Sequence, residues 1–475
     1  MVDPKSQRAE DFIHDGEIME TLALARERAA DAAFVRDALD KARQGQGLTH
    51  REALTLLECQ KPEERHAILE IARDIKRRFY GNRIVLFAPL YLSNYCVNGC
   101  SYCPYHAQNG HIPRRKLTQD EIAREAAALQ AMGHKRLAIE TGEDPVHAPL
   151  SYVLDSIQTI YATCHERGAI RRVNVNIAAT TVDEYRQLKA AGIGTYILFQ
   201  ETYHKATYER LHPFGPKGDY AWHTEAMDRA MAGGIDDVGL GALFGLGNYR
   251  YDVAGLLLHA EHLQAACGVG PHTISVPRIR PADDIRLDAY TEAIDDDTFE
   301  RLVAVLRLAV PYTGIIVSTR ESPAVRARIL DAGVTQISGG SRTSVGGYAG
   351  SAEHQLGNND TAQFEVNDTR SLDDVVRWLL DIGHIPSFCT ACYRQGRTGD
   401  RFMQLVHAGA IADCCHPNAL VTLAEYLADY ASPETRLAGT LALHRELSRI
   451  ASPATRDRTA AAIAAIPSGQ RDFFM

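Results

Sequence analysis

Hydrophobic positions follow two rhythms along the chain. The first 80 residues carry the helical one, in Ala-, Glu- and Arg-rich segments from Met19 to Arg43. A further helix is predicted from Thr49, where Thr49 and Glu52 form a capping box. Another runs from Glu63 to Phe79 and stops at Gly81. Beyond it, short β-branched runs alternate with amphipathic windows. Eight such runs are visible: Arg83–Pro89, Arg136–Glu140, Arg172–Ile177, Thr195–Phe199, Val238–Phe244, Thr273–Pro277, Thr313–Ser318 and Val334–Ser338. The window Thr118–Met132 has its own capping box (Thr118, Glu121) and a Leu117–Ile122 hydrophobic staple.

Strand and helix alternating eight times predict an α/β fold, a (β/α)8 TIM-type barrel. An open doubly wound sheet is the alternative. It lacks a glycine fingerprint here, because Gly239, Gly241 and Gly245 have the wrong spacing. After about residue 365 the strand pattern ends and the tail reads as helical, with Ser432-Pro433 and Ser452-Pro453 as helix starts. The expected organisation is an N-terminal helical extension (1–80), the barrel (81–365) and a mainly helical C-terminal domain (366–475).

Composition narrows the class. Of 475 residues, 45% are hydrophobic and 23% charged, as in ordinary soluble proteins, and the formal net charge is −9. That balance argues against a nucleic-acid surface. Arg114-Arg115-Lys116 reads as a solvated face. No secretory signal or membrane-length apolar run is visible, so a cytoplasmic protein without membrane contact is expected. Ten cysteines at this length point to metal binding or catalysis rather than a disulfide framework.

Cys96, Cys100 and Cys103 stand in C-x3-C-x2-C spacing just after the first run. Three thiolates from one short loop ligate three irons of a [4Fe–4S] cubane and leave the fourth open. An open iron suits S-adenosylmethionine (SAM), whose amino and carboxylate groups chelate it, and electron transfer to the sulfonium then releases a 5′-deoxyadenosyl radical. Zinc fits less well, since it usually takes four ligands and this loop has no partner knuckle. Tyr102, directly before the last cysteine, belongs with this site. Thr141, Gly142 and Glu143 follow the second run and resemble the acid-ended segment that receives the SAM amino group in the radical SAM superfamily. Asn174 and Asn176 alternate on the third run and share a face. Gln200 and Glu201 end the fourth, where a carboxylate can meet ribose hydroxyls or the methionyl amine. Each of these polar residues also reads as a cap for the helix that follows.

A second set, Cys389, Cys392 and Cys415, has C-x2-C-x22-C spacing. Cys414 can replace Cys415 or add a fourth ligand. Spacing leaves two readings open: a second cluster, or a structural zinc completed by Cys414 or His416. Ser318 and Arg320 end the seventh run on the catalytic face, and the Arg fork suits a substrate carboxylate, with a salt bridge to a neighbouring helix as the alternative. His272 precedes the sixth run, at the opposite face, where a lone histidine reads as structural. Cys59, Cys164 and Cys267 match no motif and are expected to be buried.

The segments NYCVNGCSYCPYH, RRVNVNIAATTV, GTYILFQETYHK, GPHTISVPRIRPADD, STRES, QISGGSRTSVGGY and PSFCTACYRQGRTGDRFM together resemble the HydG family, radical SAM tyrosine lyases of [FeFe]-hydrogenase maturation. The resemblance spans nearly the whole length. The thiazole-pathway 2-iminoacetate synthases resemble the barrel but lack the cysteine-bearing tail. The family implies hydrogen abstraction from the L-tyrosine amino group and Cα–Cβ cleavage to p-cresol and dehydroglycine, then conversion of dehydroglycine to CO and cyanide at a second [4Fe–4S] cluster. It also implies a labile extra iron held by His272 and a free cysteine, and delivery of an Fe(CO)2(CN) unit to the hydrogenase H-cluster. Implied partners are a low-potential ferredoxin- or flavodoxin-type donor and the maturation GTPase scaffold. Two other readings remain: an aromatic amino acid lyase that stops at 2-iminoacetate, and a non-catalytic iron–sulfur scaffold.

Overall fold

All eight runs become parallel strands, and the last pairs with the first. In this computed structural model, which describes residues 2–350, 361–407 and 411–475, the strands are β1 (Arg83–Ser93), β2 (Arg136–Thr141), β3 (Arg172–Asn176), β4 (Tyr196–Ile197), β5 (Val238–Gly241), β6 (Thr273–Ser275), β7 (Gly314–Val317) and β8 (Gln336–Ser338). Neighbours pair in chain order, and β8 closes on β1 with Val85 opposite Gln336 and Phe87 opposite Ser338. Closure pairs every strand on both sides, except for the lower end of β1, and packs helices outside.

Period-two alternation stacks the lumen in layers. Val85, Arg136, Arg172, Gly314 and Gln336 line a cavity at the strand starts. Two residues on, Phe87, Ala138, Ile316 and Ser338 line the middle, and Glu140, Asn176 and Ser318 come above them. On β5 the inward positions are Gly239 and Gly241. A side chain on Gly241 would run into the Phe199 ring and one on Gly239 into Thr273 Oγ1, so these glycines make room for neighbouring side chains.

The N-terminal helices cover the outside of the barrel. Helix Asp15–Ala30 is stopped by Asp31, whose carboxylate caps helix Ala32–Arg43, so the predicted 19–43 segment is two helices. The Thr49 and Thr118 capping boxes form as predicted. Helix Pro62–Tyr80 ends at Gly81, at φ +64°. The Leu48 N–H donates to Ala309 O (3.1 Å), and Lys76 Nζ donates to Leu330 O (2.6 Å), tying this layer to the barrel helices.

The tail differs from expectation. A ninth strand, β9 (Ile385–Ser387), lies in the sequence predicted to be strand-free. It pairs in parallel with the start of β1, Arg83 opposite Ile385 and Val85 opposite Ser387. β1 has 11 residues and turns its upper part (Ala88–Ser93) toward β2, so its lower end offers an edge that β9 fills. Helices Leu372–Asp381, Gly399–His407, Ile411–Asp429, Pro433–Ser448 and Pro453–Ala465 complete the tail. Of the unassigned cysteines only Cys59 is buried; Cys164, in a small surface hairpin, and Cys267, at a helix end, are exposed. Among the described residues no helix is long and apolar enough to cross a membrane.

Candidate active site

Cys96, Cys100 and Cys103 lie in the loop that leaves β1, and all three line a cavity of about 150 Å³ at the strand ends. The loop is held from both sides. The Val97 N–H donates to Glu143 O (2.8 Å), Gly99 N–H to Phe214 O (3.1 Å) and Ser101 N–H to Leu211 O (3.0 Å). Arg114 donates to four loop carbonyls: Asn94 (2.8 Å), Tyr105 (2.9 Å), His106 (2.6 Å) and Asn109 (3.1 Å). This corrects the solvated-face reading of Arg114-Arg115-Lys116 for Arg114, a clamp on the cysteine loop, while Lys116 is exposed as that reading expects. Gly142 is required by close approach: a Cβ there would clash with Tyr95 O and stand 3.0 Å from the Cys96 Cβ.

Tyr102, Thr141, Gly142, Glu143, Asn176, Glu201 and Arg320 line the same cavity. Asn98 Nδ2 donates to Glu143 Oε2 (2.6 Å) and leaves the other carboxylate oxygen open. Glu201, at φ +68°, pairs with Lys217 Nζ at 2.8 Å. Burial opposes the Lys217 charge, yet Glu201 together with the Cys100 and Cys103 thiols outweighs it and raises the ammonium above its ordinary range. Tyr102 OH donates to His212 Nε2 (2.8 Å), since His212 Nδ1 faces Tyr208 O (2.7 Å) and burial keeps the ring neutral, with its pKa down to about 3. Ser318 and Arg320 meet in the adjoining lumen, where the guanidinium stacks 3.5 Å from the Phe364 ring centre. Burial lowers the Arg320 pKa, so an incoming carboxylate would meet a poorly solvated cation.

Two candidates line neither this cavity nor the adjoining lumen. Gln200 Nε2 donates to Thr224 Oγ1 (2.9 Å), outside the lumen. Asn174 does face inward with Asn176, but one layer lower, where Oδ1 accepts from Arg172 Nε (3.0 Å) and Thr195 N (3.1 Å). The structure adds Glu140, Lys217, Tyr105 and Arg280 to the lining. Glu140 was legible as the inward neighbour of Thr141 at the end of β2. Burial pushes its carboxyl up to about 8, and Glu143 is raised by the same cause.

At the opposite end, a cavity of about 50 Å³ is lined by Cys389, Cys392 and Cys415 together with His272, Arg83, Arg136, Arg172 and Asp237. β9 delivers Cys389, and helix Ile411–Asp429 delivers Cys415. Cys414 and His416 are not in this lining, and His416 Nε2 faces Glu446 at 3.6 Å instead. The zinc reading thus loses both of its proposed fourth ligands, and among the described residues no three such donors are set to hold a single metal ion. A hydrogen bond from Cys392 lowers the Cys415 thiol to about 7, burial opposing and Arg83 assisting.

The cavity fits an iron–sulfur centre with SAM. Three thiols from one loop border it, burial pushes Cys103 up to about 11 and Cys100 higher still, and desolvated Glu140 and Glu143 face a space where a cation would relieve them. A barrel with this loop at its mouth defines a radical SAM protein. The comparisons agree: residues 90–260 match the Radical SAM superfamily, and residues 275–385 match the Biotin and Thiamin Synthesis associated domain. The 2-iminoacetate synthase of Escherichia coli (strain K12) is 32% identical over 349 residues, 73% of this chain and 89% of that protein. A crystal structure of HydG, a maturase of the [FeFe]-hydrogenase, superposes with TM-score 0.93 at 50% identity, covering 98% of this chain and 100% of that one. HydG from Carboxydothermus hydrogenoformans gives 0.81 at 36%, covering 97% and 99%. The chain belongs to the HydG family of [FeFe]-hydrogenase maturases.

Proposed function

We propose that the protein is a radical SAM L-tyrosine lyase that forms p-cresol and dehydroglycine at the top of the barrel and converts dehydroglycine to CO and cyanide at the bottom. The observation that carries this reading is the second cysteine set, which a C-terminal module folds against the bottom of the same barrel that holds the first. An enzyme that released its first intermediate would have no use for it.

Cys96, Cys100 and Cys103 would hold the SAM-binding [4Fe–4S] cluster, and Glu143 and Glu201 would receive the cationic and hydroxyl groups of SAM. When bound, this pair supplies the 5′-deoxyadenosyl radical. Arg320, with Ser318, anchors the tyrosine carboxylate, and Phe364 holds the guanidinium plane. Glu140, neutral near pH 7, can donate a hydrogen bond to the substrate rather than repel its carboxylate. Burial of this constellation keeps water from a reactive fragment. At the bottom, Cys389, Cys392 and Cys415 would bind the auxiliary [4Fe–4S] cluster, and His272, which lines the same cavity, would ligate an additional iron that free cysteine completes. A maturation GTPase scaffold is the proposed recipient of the product.

The test is product analysis after anaerobic reconstitution, with SAM, dithionite and L-tyrosine. p-Cresol together with CO, trapped on deoxyhaemoglobin, is expected. p-Cresol alone would replace this reading with a 2-iminoacetate-type lyase, and neither product from a protein with intact clusters would replace it with a scaffold.

A further inference from the structure

The basic run that precedes the first barrel helix also borders a feature the lyase reading leaves unused. An open surface groove of about 490 Å³ is lined by Tyr95, Arg114, Arg115, Lys116, His147 and Tyr152, together with residues 117–119. The lining contains no carboxylate, although the chain carries a net charge of −9. Arg115 is matched by Glu121 (3.1 Å) and His147 by Asp144 (3.1 Å) from outside the groove. Arg114 meets only carbonyls, and Lys116 lies over the Tyr152 ring at 4.3 Å. Val146, beside His147, is 78% exposed.

The groove shares a wall with the cysteine cavity. Tyr95 stacks on His147 in the groove (centroids 4.1 Å, 9° between planes), while its neighbour Cys96 lines the cavity. Gly142 and Glu143 line the cavity, and the same loop turns outward at Val146 and His147. Gly142 packs directly on Tyr95 O, so the wall is one pair of chain segments thick. Reductive cleavage of SAM needs one electron from outside, and here the surface comes within one residue of a cluster ligand.

We propose that this groove docks an acidic, low-potential one-electron carrier protein, with the Tyr95–His147 stack at the point of electron entry. The inference rests on the radical SAM reading of Cys96, Cys100 and Cys103. The carrier is oxidised by one electron and the centre on those cysteines is reduced by one. That electron then breaks a C–S bond of SAM, giving methionine and the 5′-deoxyadenosyl radical. Arg114 and Lys116 supply the complementary charge and Val146 a small apolar contact, a composition suited to a brief encounter.

The test uses reconstituted holoenzyme and a photoreduced acidic flavodoxin as the probe. Bleaching of the cluster absorbance gives the reduction rate, and calorimetry gives the affinity. The variant carries Lys116→Glu and Val146→Glu, neither of which touches the cavity. Expected is about a tenfold slower reduction by flavodoxin with matching loss of affinity, an unchanged rate with dithionite, and a wild-type flavodoxin rate that falls with added salt. An unchanged flavodoxin rate would overturn the proposal. So would equal slowing with both reductants, because the substitutions would then act on the centre and not on docking. Failure of dithionite to reduce any centre in the wild type would strike the radical SAM reading instead.

Discussion

Glu425 joins the tail to the barrel through a buried ionic network, and removing its charge should separate the two. Its side chain is 0% exposed; Oε2 lies 2.8 Å from Arg171 and 3.3 Å from Lys135, themselves 5% and 1% exposed. Oε1 accepts from the Asp472 N–H (2.7 Å), and Asp472 in turn pairs with Arg394 (2.7 Å). Glu425→Gln keeps the shape but leaves two buried cations short of a carboxylate. Breaking a buried pair in this way costs ~3–5 kcal/mol. Lys135 can escape part of the penalty by losing its proton, since burial, with Arg171 adding, already lowers its pKa to about 8. Arg171 cannot. The sign with pH follows: a lysine whose folded pKa is lowered gains stability as pH rises between the folded and unfolded values. The deficit at pH 7 should therefore narrow at pH 9. Urea unfolding at both values, with limited proteolysis of the tail, measures it. Helix Ile411–Asp429 carries both Cys415 and Glu425, so CO yield should fall while p-cresol persists. A variant as stable as wild type at pH 7, with an equally protected tail, would refute the reasoning.

Three further outcomes are expected. Glu140 is raised to about 8 by burial, so the folded protein binds a proton that the unfolded chain sheds near 4.5, and stability falls as pH rises between them; Glu140→Gln should flatten that fall in urea titrations, and an identical slope would remove Glu140 as its source. Gly142→Ala should displace Tyr95 and Cys96, with SAM cleavage down by roughly two orders of magnitude for an ångström of misplacement; wild-type cleavage would mean that the wall yields without moving the cysteine. Cys389→Ala combined with Cys392→Ala should keep p-cresol and lose CO, and an undiminished CO yield would locate diatomic formation elsewhere.

What could be read in the sequence depended on whether local rules decided the outcome. The eight strands and the Thr49 and Thr118 capping boxes were legible because alternation and capping act within a few residues. β9 was not, because Ile385–Ser387 is a three-residue strand whose existence depends on an edge 300 residues earlier. Arg114 looked like a surface charge, and only the folded loop supplies its four carbonyls. Gln200 was misjudged at the end of a strand, where a one-residue step turns a side chain from lumen to helix layer. Asn174 had the right face but the wrong height.

His272 shows how far such reasoning reaches at the second cavity. Spacing alone made it a lone histidine at the stable end of a barrel, and the rule that chemistry belongs at the C-terminal face weighed against it. The fold changes the premise by closing that end with a module of its own. β9 continues the sheet below β2, Cys389 follows β9 by two residues, and Arg136, Arg172 and His272 then face three thiols rather than solvent. From the bottom cavity to the top one the inward positions run Arg136, Ala138 and Glu140 on β2, and Arg172, Asn174 and Asn176 on β3, with Ala138 and Asn174 as the layer between. One inward register therefore connects both ends, and a substitution that enlarges Ala138 tests whether the path between them is used: p-cresol should continue while CO declines.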